Sequence, residues 1–283
     1  MFQPDPQSTT TATDPGGFEP VEQIDGAWDS GILLITDHAS NALPQHYGTL
    51  GLAPEELERH IGYDIGSARL TRALAARLEA PAIMSTFSRL LIDPNRGDDD
   101  PTLVMRLSDG AIIPGNAHHD ADERAHRIAT YYQPYHDAIN AGISRSVDAG
   151  KVPMILSVHS FTPVWRGVAR PWHAGILWDN DPRLAVPLID GLRSDDDIMV
   201  GDNEPYRGYL KNDTLYFHGT IRGIAHALIE VRQDLIDHEA GIEAWADRIA
   251  PIMAMINRDP QTHAFHEFGS RTDLDPGTED SRK

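Results

Sequence analysis

The chain contains no cysteine, and Lys151, Lys211 and Lys283 are its only lysines among 283 residues. The first absence excludes disulfides, thiolate nucleophiles and cysteine-held zinc, and leaves the cytoplasm as the default compartment. No stretch approaches the ~18 consecutive apolar residues of a membrane span, so no membrane partner is expected. The opening "MFQPDPQSTTTATDPGGFEP" has no basic start and no apolar centre, so it does not read as a secretory signal. Positive charge is scarce as well. The net charge of −19 lacks the basic footprint that nucleic-acid binding needs. What positive charge there is sits almost wholly on arginine, the better fork for a carboxylate. An acidic protein that handles an anionic substrate must concentrate arginine locally, beside other polar groups at strand ends.

At 40% hydrophobic content the chain can bury a full core. Residues 1–20 and 267–283 are poor in anything to bury and read as flexible tails around a single catalytic domain over 21–266. Within that domain short β-prone runs alternate with helical periodicities. "GILLIT" (31–36), "PAIMSTF", "RLLID", the run Met154–Val158, "AGILW" (174–178), "IMVG" and "HALIEV" (226–231) read as strands. Leu70, Leu74 and Leu78 lie four apart on one helical face. A longer pattern runs from Ile128 to Val147, where Pro134 should kink or interrupt it. Further helices are expected around 182–193 and across Ile242, Trp245, Ile249, Met253 and Ile256. This alternation predicts a single-domain α/β fold, a mixed and largely parallel sheet with helices on both faces. Ligands of such sheets bind outside the carboxyl ends of the strands.

Four strands deliver polar groups there. "TDHASN" offers Asp37, His38 and Asn41; "DPNRG" offers Asp93, Asn95 and Arg96. "VHSF" offers His159 and Ser160, and "EVRQD" offers Glu230 with Arg232, Gln233 and Asp234. Two histidines at two strand ends suit a catalytic zinc, which needs a third protein ligand and one open position. Asp64, in "HIGYDIGS", is the preferred third ligand and Asn41 the alternative; Asp64 also reads as the N-cap of a helix starting near Ile65. Asp37 is placed to orient an imidazole from behind. Glu230, inside an apolar strand, reads either as a buried partner of Arg232 or as the general base for a water. Arg89, Arg96, Arg166 and Arg170 flank the strand ends, with Arg96 favoured as the substrate-carboxylate fork. Ser160 lacks the G-x-S-x-G elbow of a serine hydrolase.

In order along the chain stand "DHASNALP", "HIGYDIG", "SRLLIDPNRG", "DGAIIPGN", "PYHDAI", "SVHSFTPV", "GDNEPY" and "LIEVRQDLI". This set, over roughly residues 30–237, resembles the N-formylglutamate amidohydrolase family. The resemblance implies a zinc-carboxypeptidase-like (phosphorylase/hydrolase-like) fold, a bound metal, Zn2+ first among candidates, and hydrolysis of N-formyl-L-glutamate to formate and L-glutamate. It maps His38 and His159 to metal ligands, Glu230 to the water-activating base and Arg96 to the substrate carboxylate; Arg89, Asn95 and Arg170, read from the strand ends, are expected to bind substrate as well. In the carboxypeptidase-type pattern a glutamate stands three residues after the first histidine. Asn41 occupies that place here, so the third ligand stays open between Asp64 and Asn41. Two other readings remain: a hydrolase of a different N-acyl amino acid or small peptide, and a metal-free binding protein of the same fold. The sequence leaves a homo-oligomer open.

Overall fold

A computed structural model describes residues 16–273. The tails expected over 1–15 and 274–283 lie outside the described residues. Residues 267–273, assigned to the second tail, pack on the body instead: Ser270 is buried, and the Arg271 backbone N–H donates to Asp179 Oδ1 at 2.8 Å.

Seven strands make one sheet: β1 (Val21–Ile24), β2 (Ile32–Thr36), β3 (Ala82–Ser85), β4 (Met154–Phe161), β5 (Ala174–Leu177), β6 (Val200–Asp202) and β7 (His226–Arg232). Their order is β1-β3-β2-β4-β7-β5-β6. The β3-β2, β2-β4, β4-β7 and β5-β6 pairs are parallel; the β1-β3 and β7-β5 pairs are antiparallel. The expected mixed, largely parallel sheet is therefore present.

Alternation along the central strands splits the core in two. Ile32 and Leu34, Met154, Leu156 and Val158, and Ala227, Ile229 and Val231 face one side. Three helices cover it: α1 (Ser67–Leu78), α3 (Pro182–Arg193) and α4 (Glu239–Ile256). Leu33, Ile35, Ile155 and Leu228 face the other side, where α2 (Gln133–Asp148) packs through Tyr135, Ile139 and Ile143. Pro134 interrupts the regular helix, as expected: a helix over Ala121–Arg127 runs directly into a π-turn over Ile128–Tyr132, and Pro134 sits in the first turn of α2 that follows it.

One strand was expected and is not there. "RLLID" forms turns, with the Leu91 N–H donating to the Ser88 carbonyl at 2.9 Å and the Asp93 N–H to Leu103 at 2.8 Å. Both edges of β3 are already taken, by β1 and β2. Leu90 and Leu91 serve two separate satellite clusters beyond the strand ends. Conversely β4 runs through Phe161, so His159 lies inside the strand rather than after it.

The segment before α1 also departs from a simple helix. A short turn of helix at Pro54–Leu57 is followed by irregular chain up to Gly66. Gly66 has φ +86°, and a Cβ there would lie 2.3 Å from the Ile236 carbonyl. Only glycine fits that approach. Its turn carries Asp64 inward, ahead of the helix. Gly66→Ala should cost on the order of 2 kcal/mol or more, measured as a lower urea midpoint with an unchanged slope.

Candidate metal and active site

The parallel strands β2, β4 and β7 end on the same side of the sheet, and the polar cluster forms there. His38 follows β2 by two residues. His159 and Glu230 are register partners on β4 and β7, so their side chains leave the same face next to each other. Asp64 arrives from the loop before α1. Its Oδ2 lies 2.8 Å from His159 Nδ1 and 3.5 Å from His38 Nδ1. All three residues are buried, and one ligand atom from each falls within 4.8 Å of the others, an arrangement that could hold a metal ion.

The outer nitrogens of both imidazoles are already engaged. His38 Nε2 meets Asp93 Oδ1 at 2.7 Å, and His159 Nε2 meets Asp37 Oδ2 at 2.9 Å. Such carboxylate partners fix ring orientation and tautomer, leaving each Nδ1 to face inward as a ligand. Asp37 is itself held by the Tyr135 hydroxyl at 3.0 Å, the Ser157 hydroxyl at 3.2 Å and the Thr214 hydroxyl at 2.7 Å. Burial alone would raise Asp37, but the hydrogen bond and charge of His159, the charge of His38 and the Thr214 hydroxyl bring it down to about 2. Asp93 is buried too, yet the Arg89 guanidinium, 2.7 Å away, holds it well below the usual carboxylate range.

The donor set fits a divalent cation. His38 Nδ1 is buried without a hydrogen-bond partner and points at Asp64. Asp37, Asp64, Asp93 and Glu230 bring four carboxyl groups together, and among the described residues Arg89 is the one arginine paired with any of them, with Asp93 and Asp64. In a dry setting that imbalance is costly unless protons or a cation supply positive charge. His159 shows the proton alternative: burial works against its charge, but hydrogen bonds to Asp37 and Asp64 raise its pKa well above 6.5.

Asn41 is not part of this group; its side-chain amide donates to the Leu57 carbonyl at 3.1 Å. The N-cap reading of Asp64 fails as well, because α1 starts after Gly66 without a side-chain cap. Nor does Glu230 pair with Arg232, which forks onto Asp234 at 2.8 and 3.2 Å. Glu230 is 7% exposed and its Oε2 has no hydrogen-bond partner. Burial, reinforced by the Asp64 charge, raises its pKa from 4.5 to about 7.

The predicted substrate residues are less uniform. Asn95 turns its side-chain oxygen to the Thr214 backbone N–H at 3.2 Å, a structural contact. Arg89 is committed to Asp93 and approaches Asp64 at 3.6 Å. Arg96 donates to its neighbour's carbonyl, Asn95, at 2.9 Å and lies 4.0 Å from Asp100, partly exposed. Arg170 is buried against aromatic rings. Sequence reading missed Thr214 altogether. Its hydroxyl lies 2.7 Å from Asp37 Oδ1 and 3.1 Å from the Pro94 carbonyl, sharing one proton between the segments behind the two histidines.

Thr214→Val should therefore weaken metal binding at His38, Asp64 and His159 by about 10- to 100-fold, read by competition with a chelating dye. Thr214→Ser should restore most of it. A second expectation concerns acid stability. His136 and His218 are buried beside this segment, bonded Nδ1 to Nε2 at 2.8 Å. Burial lowers the His136 pKa to about 4 and the His218 pKa well below 6.5, against ~6.5 in the unfolded chain. Below pH ~6.5 the unfolded state thus binds more protons, so this stability is complete above that pH and is lost as pH falls toward 4. His136 alone should remove about 2 kcal/mol between pH 7 and pH 5, and the change with pH in the stability difference between wild type and His136→Asn, from urea unfolding at the two pH values, measures it.

No curated protein matches the chain. Among solved structures it resembles gene product Atu2144 from Agrobacterium tumefaciens, at 34% identity and TM-score 0.80, covering 84% of this chain and 95% of that one. It shares its fold with the N-formylglutamate amidohydrolase from Ralstonia eutropha JMP134, at 21% identity and TM-score 0.65, covering 84% and 97%. The family model for N-formylglutamate amidohydrolase matches residues 30–237, a span that contains every residue of the cluster described above. The chain belongs to the N-formylglutamate amidohydrolase family.

Proposed function

We propose that this chain is a zinc-dependent amidohydrolase that cleaves the N-acyl amide of a small acidic amino acid, with N-formyl-L-glutamate, giving formate and L-glutamate, as the leading substrate. The observation that carries the reading is Glu230. It is a buried carboxylate with a free oxygen, beside a two-histidine, one-aspartate group, in a chain of this hydrolase family.

His38, Asp64 and His159 would hold the ion through one atom each. Three protein ligands are the number a catalytic zinc takes while keeping a position open. When bound, the ion would supply Lewis acidity toward the amide carbonyl and toward water. Asp93 and Asp37 keep the two imidazoles in the tautomer that presents Nδ1. Glu230 accepts a proton from the attacking water and returns it to the amide nitrogen as the C–N bond breaks, so the two products are formate and a free amine. The raised pKa of Glu230 suits that return step, since a carboxyl near neutrality both takes and gives a proton at physiological pH. The nearby cation would lower it again, toward the base form.

Elemental analysis of purified protein should give close to one zinc per chain, and a panel of N-formyl, N-acetyl and N-succinyl amino acids should rank N-formyl-L-glutamate first in kcat/KM. Chelation should abolish turnover and zinc restore it. Glu230→Gln should lower kcat by about 100- to 10,000-fold with metal content intact, whereas His159→Ala should lose the metal. Stoichiometric zinc in His159→Ala, or near-normal turnover in Glu230→Gln, would refute the assignment.

A further inference from the structure

The sequence favours Arg96 as the fork for the substrate carboxylate; the packing around the arginines favours another. Arg89 faces Asp93 at 2.7 Å and Asp64 at 3.6 Å, so its charge is already matched. Arg96 is partly exposed and spends a donor on the adjacent carbonyl of Asn95, with Asp100 4.0 Å away. Arg170 is different. It is 8% exposed, and no carboxylate pairs with it among the described residues. Its Nη1 reaches the Thr162 hydroxyl at 3.2 Å and the Thr162 carbonyl at 3.4 Å.

Around that guanidinium stand three rings: Tyr206 at 5.0 Å, Trp165 at 5.3 Å and Phe161 at 5.6 Å from the ring centroids. Aromatic faces stabilise a cation but leave its in-plane N–H donors free. A buried charge whose hydrogen-bond partners, Thr162 and the Tyr206 hydroxyl, are neutral is expensive, and the expense falls when an anion arrives. The box also sits at the right end of the sheet. Phe161 closes β4 two residues beyond His159, and the Glu230 and Asp64 charges both reach Tyr206. Trp165 lies on a short ribbon, Val164–Trp165 against Val168–Ala169, and its ring also meets His60 from the loop that carries Asp64.

We propose that Arg170, boxed by Phe161, Trp165 and Tyr206, is the residue that selects a carboxylate-bearing substrate, in place of Arg96. The role rests on the amidohydrolase reading for its substrate, and titration with a plain dicarboxylate tests it without that reading. Arg170 offers the in-plane N–H groups that Thr162 and Tyr206 leave free to one carboxylate of the amino-acid part. The rings exclude water from that pair and hold the guanidinium in one orientation. Discrimination follows from the unpaired charge: a neutral analogue leaves it buried and unmatched, whereas an acid satisfies it.

The test uses two readouts on the zinc-loaded full chain. Calorimetric titration with glutarate, a plain dicarboxylate probe, should show binding to the wild type that weakens at least tenfold in Arg170→Met and less in Arg170→Lys. Steady-state kinetics on N-formyl-L-glutamate should show KM raised at least tenfold in Arg170→Met, with kcat within about threefold, because the residue does not touch the reacting atoms. Thermal melts of both variants report whether the fold survives, and the lysine variant keeps the question answerable if the methionine variant does not fold. Unchanged glutarate binding in both variants, a larger loss in Arg96→Met, or no glutarate binding by the wild type would overturn the proposal. If the wild type turns over none of the N-acyl amino acids yet binds glutarate through Arg170, the catalytic reading fails and the anion box stands. If turnover is normal and KM ignores Arg170, the reverse holds.

Discussion

One carboxylate oxygen, Asp64 Oδ2, faces the inner nitrogens of two imidazoles whose outer nitrogens are already taken by Asp93 and Asp37. The rest of the site is arranged around that constraint. An imidazole can present Nδ1 as an acceptor only if its proton sits on Nε2, and a carboxylate behind Nε2 enforces that tautomer. Two such clamps facing one aspartate give a preformed set of donors, with little reorganisation left for the moment a cation enters. The cost is three buried aspartates within a few ångströms. Arg89, lying on both Asp93 and Asp64, offsets part of it.

The sheet makes the arrangement achievable from ordinary sequence. Because successive residues of a strand point to opposite faces, Val158 and Ile229 can fill the core under α1 while His159 and Glu230, their neighbours, look the other way. Parallel pairing puts those two residues side by side, since register partners on adjacent strands share a face. The same β2-β4-β7 core that buries Leu34, Leu156 and Ile229 therefore also sets the spacing between His159 and Glu230. A one-residue slip of β7 would replace Glu230 by an apolar neighbour and expose a hydrophobic set on the wrong face, so folding and the geometry of the buried cluster are tied to one register.

His38, His159, Glu230 and Asp64 were legible in the sequence because each is a polar interruption next to an apolar run or in a glycine-bounded loop, and such interruptions are costly without a purpose. The alternation of strands and helices was legible for the same reason: hydrophobic periodicity records burial. What escaped came from long-range geometry. "RLLID" has the composition of a strand, but whether a run pairs depends on a free sheet edge, which no local pattern records. Thr214 meets Asp37 across a separation of 177 residues, and Asp93 meets His38 across 55. The choice between Asp64 and Asn41 turned on where the chain bends at Gly66, and the choice among arginines turns on counter-charges drawn from distant segments.

The net charge of −19 sharpens that last point. An anionic substrate approaching such a surface is repelled at long range, but in physiological salt the repulsion decays over ~8 Å. Steering therefore contributes little, and selection must be made at contact. Exposed and half-exposed arginines are poor instruments for that, because solvent and neighbouring acids already screen them; Arg72, Arg77 and Arg59 each end in a pair with a carboxylate. A guanidinium held among aromatic rings has had its water removed during folding, so the desolvation cost of binding on the protein side is already met. In an acidic protein, the effective cation is the one kept away from the protein's own acids, and among the arginines flanking the His38–Asp64–His159 group Arg170 answers to that description.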